Sequence, residues 1–303
     1  MVNRFLLLTV VALCLTTKAV GQTGQVKIMT YNLNNMHDVF DDPYSNDEGT
    51  RVKSRHEINL IARLIKKVNP DVAAFQEVEN EGVLRAVVDQ EFLDEGYRYI
   101  AVMATNSGRG ANLGLISRLP ILSFTSHRFT KLGVKNEPGQ WRYARDLLRV
   151  RLAAMPDKPI DLYIVHFKSK RDSESDPESS RWRLAEAHGT RRIIDEARSD
   201  SPNDWTLLVG DFNDTPDSLT IAALLAPQSQ NGGLKPLIDL HRSVPPKDRI
   251  TYLRRPYHDT VDYILASPRL ASRVVSSSAR VLADARLLGG SDHAPVVVTF
   301  DLN

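Results

Sequence analysis

Apolar and polar positions follow two different periods along the chain. Residues 26–31 (VKIMTY) alternate every second position as a strand does, and the Asp- and Asn-rich stretch 32–48 reads as a polar loop. Ser54 then opens a helix. Glu57 stands three positions on, as a capping box requires, and Ile58, Ile61 and Ile65 share one face until Asn69 and Pro70 end it. Residues 71–77 (DVAAFQE) form a short apolar run closed by an acid. Further strands are expected at 97–103, 112–116, 147–152, 160–167, 205–209, 261–266 and 295–300, with helices at 181–198 and 219–225.

Strands outnumber helices, and most are too short and too apolar for a sheet with one wet face. The pattern predicts an α/β fold with sheets packed on each other and helices outside. There is no repeat, no low-complexity tract and no linker long enough to divide the chain. Residues 168–180, rich in Ser, Asp and Glu, read as a mobile loop beside His166.

Composition changes this picture at the N-terminus. Arg4, an apolar run from Phe5 to Leu15, and small residues at 19–21 have the order of a secretory leader, so residues 1–21 are expected to be removed. Residues 22–303 would form a single domain, secreted or periplasmic. The apolar run falls short of the roughly 20 residues that cross a bilayer. The formal charge of +2 drops to zero once Arg4 and Lys18 leave, so a whole-molecule cationic field is excluded and any attraction for anions must be local. The single cysteine, Cys14, lies in the leader. Disulfides, thiol nucleophiles and thiolate metal ligands are therefore excluded from the mature chain.

Polar residues of acid–base and metal-binding type recur at the ends of the apolar strands. Asn32 and Asn34 follow the first, Gln76 and Glu77 the next, His166 another, and Asp211 and Asn213 stand in GDFN; Asp262 opens DYIL, and Ser291, Asp292 and His293 precede the last strand. Each alone is commonly a turn former or a helix cap. Strand ends on one edge converge in space, so together they point to a site. Asn32, Glu77 and Asp292 are hard oxygen donors that suit Mg2+ or Mn2+, with Ca2+ a further candidate, better than zinc. His166 and His293 can donate to phosphoryl oxygens, while Asp211 can accept a proton from a water that Asn213 orients. That set suits hydrolysis of a phosphate ester without a covalent intermediate. The chain lacks GxSxG, a Walker loop and HExxH, and Gly108 and Gly110 in NSGRGAN make a flexible turn.

The blocks MTYNLNN, AFQEVEN, VHFKSK, VGDFND, VDYILAS and GGSDHAPVV resemble, in order and over nearly the whole mature chain, the signatures of the endonuclease/exonuclease/phosphatase superfamily of DNase I-like metal-dependent phosphodiesterases. The resemblance implies a four-layer α/β sandwich of two packed mixed sheets flanked by helices. It makes Glu77 the main metal ligand, assisted by Asn32 or Asn34 and by Asp292. His293 would contact the scissile phosphate with Asp262 fixing its tautomer, His166 would be the second phosphate contact, Asp211 the base, and Asn213 a ligand for nucleophile or phosphate. Arg145 resembles an arginine placed against substrate, and Asn112, Lys168 and Lys170 complete the substrate-binding set.

Several departures narrow the substrate. The surroundings of Asp262 (HDTVDYIL) differ from those of inositol polyphosphate phosphatases and of abasic-site endonucleases, and Glu79 stands where some related nucleases carry an arginine. Basic clusters at Lys168, Lys170 and Arg171, at Arg181 and Arg183, and at Arg254 and Arg255 favour a polyanion backbone, with Tyr252, Tyr257 and Trp182 available to stack on bases. The expectation is a secreted Mg2+-dependent nuclease of low sequence specificity. The alternatives are a phospholipase-C-like sphingomyelinase or small-ester phosphatase, for which no exposed aromatic hairpin is evident, and a noncatalytic binding domain.

Overall fold

The computed structural model describes residues 24–134, 139–170, 176–200, 204–226, 235–284 and 286–303. The expected leader, Cys14 and Arg171 lie outside the described residues.

Two mixed six-stranded sheets pack face to face. The first contains β1 (Gln25–Met36), β2 (Val72–Val78), β3 (Tyr99–Met103), β4 (Asn112–Ser117), β11 (Arg280–Val281) and β12 (Val296–Asp301), in the order β11-β12-β1-β2-β4-β3. The second contains β5 (Ile121–Ser126), β6 (Leu147–Met155), β7 (Lys158–His166), β8 (Thr206–Asp211), β9 (Ile238–Asp239) and β10 (Asp262–Ala266), in the order β5-β6-β7-β8-β10-β9. Helices α1 (Arg55–Val68) and α2 (Glu81–Glu91) cover the first sheet; α3 (Ser180–Ser199) and α4 (Leu219–Leu225) cover the second, and α5 (Pro268–Ala271) is a single turn.

Alternation along the strands builds the four layers. Val26 and Ile28 of β1 face inward with Val72 and Ala74, meeting Val150, Leu162, Ile164, Leu207 and Val209 of the other sheet. Met29 and Tyr31, offset by one, face outward onto Ile61, Leu64 and Ile65 of α1. In the second sheet Tyr163, Val165 and Leu208 pack under Ile193, Ile194, Ile221 and Leu224. Strands buried on both faces read as unbroken apolar runs, which is the pattern seen in the sequence.

Local signals act as anticipated at α1. The Ser54 side chain accepts from the Glu57 amide, Glu57 returns a bond to the Ser54 amide, and Asn69 closes the helix in the left-handed region at φ 51°. Besides the short β9, α5 and β11, which the sequence pattern does not mark, three longer elements differ from the expectation. β1 runs on to Met36, through residues read as loop; α2, capped by Asn80, and the exposed edge strand β5 were not anticipated. Within the stretch expected to be a loop at 168–180, residues 171–175 lie outside the described residues, while Pro177–Ser179 form a 3-10 turn leading into α3. Asp176 accepts the amides of Arg181 and Trp182 there, which orders the helix start.

Candidate active site

Strand register assembles the centre. Parallel pairing of β7 and β8 sets His166 opposite Asp211, and antiparallel pairing of β8 and β10 sets Asp262 opposite the same Asp211. Gly210, just before it, has φ +137°, and an added Cβ would lie 2.0 Å from the Val165 carbonyl oxygen, so only glycine permits this close pairing. On the first sheet, Asn32 pairs with Gln76 and thereby stands beside Glu77. Glu77, Asn34 and Asn35 all have positive φ, between 49° and 62°, at a bulge that turns Glu77 toward the cleft. Gln76 instead donates to Thr30 in the buried interior.

Both sheets open at this edge onto a cleft of about 1030 Å³. Asn32, Asn34, Glu77, Arg145, His166, Lys168, Lys170, Asp211, Asn213, Asp292 and His293 all line it. Asp262 lies behind His293, its Oδ2 2.7 Å from Nδ1 of the ring. The structure thus brings together every expected catalytic and metal-binding residue.

Asp211 is the hub. Its Oδ1 accepts the Asn213 amide at 2.8 Å, and its Oδ2 accepts Nδ2 of Asn32 at 3.0 Å. The same Oδ2 lies 3.5 Å from Nε2 of His166 and 3.9 Å from Nε2 of His293. Burial, then the neighbouring Asp262 charge, raises the Asp211 carboxyl above the ordinary carboxylate range. Burial disfavours charge on His293, but Asp262 above all, with Asp211 and Asp292, outweighs it and keeps the imidazolium well above its usual value. His166 is the reverse case: burial, Arg145 and His293 hold it well below the usual value, so it is neutral. Its Nε2 faces both Asp211 and Glu77, at 3.5 and 3.9 Å.

Asn32 serves Asp211 through its amide nitrogen and accepts the Asn34 amide through its oxygen. It thereby holds the Asp211 carboxylate in place at the cleft. Asn213 donates to the Phe167 carbonyl, the same oxygen that Arg145 holds. Arg145 is largely buried and is no solvated charge; Arg149 and Arg151, nearby in sequence, pair with Asp161. Lys168 lies over the Trp182 ring and Lys170 pairs with Asp214.

Some expected contacts fall elsewhere. Asn112 donates to the Glu79 carbonyl and accepts from Thr105, bracing the loop after β3 away from the cleft lining. Arg183 is not part of a basic surface: it is 1% exposed and its Nε pairs with Asp214 at 3.0 Å, while its Nη1 donates to the carbonyls of residues 168, 178 and 179. Tyr252 packs on the His293 ring at 5.0 Å and so buttresses it.

Two residues escaped sequence reasoning. Arg109, between the glycines of NSGRGAN, pairs with Glu77 at 3.1 Å. Lys53, 4% exposed, donates to the carbonyls of Asn34 and Gly290, tying β1 to the GGSDH segment. A cation flanked by glycines near an acid-rich edge was the available signal for Arg109.

The donors suit a hard divalent ion. Glu77 and Asp292 are carboxylate oxygen donors lining the cleft, and Asp292 is pushed up by burial and then, against His293, by the charge of Glu77. A cation would relieve that repulsion. The trio Asp211, Asp262 and His293 is also close enough to hold an ion, but the 2.7 Å bond between His293 and Asp262 already uses the ring Nδ1.

Among solved structures, the human Nocturnin catalytic domain with bound sulfate anion aligns with a TM-score of 0.59 at 17% identity, over 93% of this chain and 96% of its own. Sphingomyelinase C from Streptomyces griseocarneus aligns at 0.59 and 18%, over 91% and 99%. An AP endonuclease from Archaeoglobus fulgidus aligns at 0.56 and 19%, again over 91% and 99%. At these identities the likeness is one of fold, the DNase I-like sandwich. A search of curated proteins gave no sequence match. The sequence model of one family covers residues 27–289, and on that match the chain belongs to the Endonuclease/Exonuclease/phosphatase family.

Proposed function

We propose that the protein is a secreted, Mg2+-dependent phosphodiester hydrolase acting as a nuclease of low sequence specificity. The observation that carries this reading is the meeting of Asp211, neutral His166 and the Asp262-backed His293 at one cleft, opposite Glu77 and Asp292. Glu77 and Asp292, with Asn32 or Asn34, would hold the ion, which supplies Lewis-acid polarisation of the phosphate. Asp211 takes the proton of the attacking water, and Asn213, fixed between Asp211 and Phe167, orients that water. His166 Nε2–H and the His293 imidazolium donate to the phosphoryl oxygens as charge builds on them.

Substrate class follows from the walls. Arg51, Arg109, Arg145, Lys168, Lys170 and Arg254 line the cleft beside the acids Glu77, Glu178, Asp211, Asp259 and Asp292, so cationic groups stand next to the reacting centre where a phosphate backbone would lie. The cleft is also large for a small monoester. Trp182 and Tyr257 on its rim offer faces for bases.

One observation favours a lipid substrate instead. The connection after β1 carries Val39, Phe40 and Tyr44 at 75%, 76% and 96% exposure, an apolar tip that the sequence alone did not single out. Cleavage of plasmid DNA, RNA, sphingomyelin and a chromogenic phosphodiester, each with Mg2+ and with chelator, separates the two. Metal-dependent cleavage of nucleic acid in preference to sphingomyelin supports the nuclease; the reverse order overturns it.

A further inference from the structure

A second cluster of ligating side chains lies outside the catalytic cleft. His37, Asp47 and Glu79 each offer an atom within 4.8 Å of the others. They are 4%, 8% and 3% exposed. His37 Nε2 and Asp47 Oδ1 are buried with no hydrogen-bond partner, and His37 Nδ1 is 3.8 Å from Glu79 Oε2, beyond hydrogen-bonding range. Buried polar atoms without partners carry a desolvation cost that a native fold meets with a water or an ion. Glu79 follows the left-handed Glu77 by two residues, and only Glu77 lines the cleft, so the two carboxylates serve different places.

We propose that His37, Asp47 and Glu79 form a second, structural metal site that takes a borderline divalent cation such as Zn2+ or Mn2+. One imidazole with two carboxylates suits those ions better than Mg2+ or Ca2+, which prefer all-oxygen sets. Imidazole and carboxylate bind Zn2+ at about 2 Å, and three such donors would leave a fourth position for water. His37 and Asp47 bracket the apolar tip, and Glu79 directly follows β2. The ion therefore clamps the connection between β1 and α1 to the first sheet, and with it Asn46, Gly49, Thr50 and Arg51, which form one wall of the cleft. The Asn46 amide already donates to the Gly108 carbonyl on the facing loop.

The test uses the full chain carrying Glu77→Gln, which removes the main catalytic ligand, stripped with chelator and titrated with Co2+ and with Zn2+. One equivalent of Co2+ should bind with visible bands of nitrogen and oxygen ligation, and Zn2+ should raise the melting temperature. Adding His37→Gln or, separately, the isosteric Asp47→Asn should abolish both effects while the circular dichroism is unchanged. Absence of Co2+ binding in Glu77→Gln, or binding unaltered by either further substitution, overturns the site. Activity is not read, so the outcome is independent of the nuclease assignment.

Discussion

Asp262 Oδ2 sits 2.7 Å from His293 Nδ1, and this contact fixes which ring nitrogen faces the cleft. With Nδ1 engaged, Nε2 points toward Asp211 and the substrate space. Asp262→Asn removes the charge that keeps the ring cationic while retaining an oxygen for the bond. Cleavage of plasmid DNA should fall by about 10²-fold or more, chiefly in kcat. A drop confined to KM would contradict the role.

Asp211→Asn retains an acceptor for the Asn213 amide, so the fold should survive with an unchanged melting temperature to within a few degrees. As the proposed base it should cost about 10²- to 10⁴-fold in kcat. A rate within about tenfold of the parent, under about 1.4 kcal/mol of transition-state stabilisation, would exclude it as the base.

Arg109 pairs with Glu77, the proposed metal ligand, and would compete with the ion for it. Arg109→Ala should tighten Mn2+ binding, read by calorimetry, by about threefold to tenfold, and should weaken binding of a polyanionic substrate through the lost cleft charge. Weaker Mn2+ binding in the variant would mean that Arg109 organises Glu77 for the ion instead.

The Asp146 carboxyl, pushed up to about 6 by burial against the bonds it accepts from Ser126 and His127, makes stability pH-dependent. Because the folded value lies above the ordinary 3.8, its contribution is complete below pH 3.8 and is lost as pH rises through about 6. Asp146→Asn, whose amide nitrogen can donate to the Ser126 hydroxyl while its oxygen still accepts the His127 amide, should flatten that decline by up to about 3 kcal/mol. Urea midpoints of both proteins at several pH values between 4 and 7.5 decide it; parallel profiles would refute the assignment.

Gly210→Ala places a methyl into the Val165 carbonyl at a positive φ. A loss of about 3 kcal/mol or more in unfolding free energy is expected, with insoluble expression as its practical form. Normal stability would show that β7 and β8 can separate without penalty.

The interior was legible because strands buried on both faces leave uninterrupted apolar runs, and the acids, amides and histidines at their ends marked one edge. The second half of β1 was not. Asn32, Asn34 and Asn35 have the composition of a loop, yet they stay in the strand because β2 pairs across a bulge and Lys53 holds the Asn34 carbonyl. β5 escaped because it lies at a sheet edge with Leu122 and Phe124 exposed among Ser123, Thr125 and Ser126, so it leaves no continuous apolar run. Arg183 read as a surface cation because charge alone does not reveal a buried partner 31 positions away. Asn112 stood at a strand end like the others, but its amide was committed to a neighbouring loop. Backbone carbonyl partners of this kind leave no trace in side-chain spacing.

The layer of aliphatic side chains between the sheets also sets a dimension. Glu77 and Asn32 ride on one sheet, His166, Asp211 and Asp262 on the other, so the gap that the nucleophile must bridge is gauged by the thickness of that filling. Thinning it, as by Val209 or Ile164 to alanine two positions behind Asp211 and His166, would detune the two halves before the molecule melted.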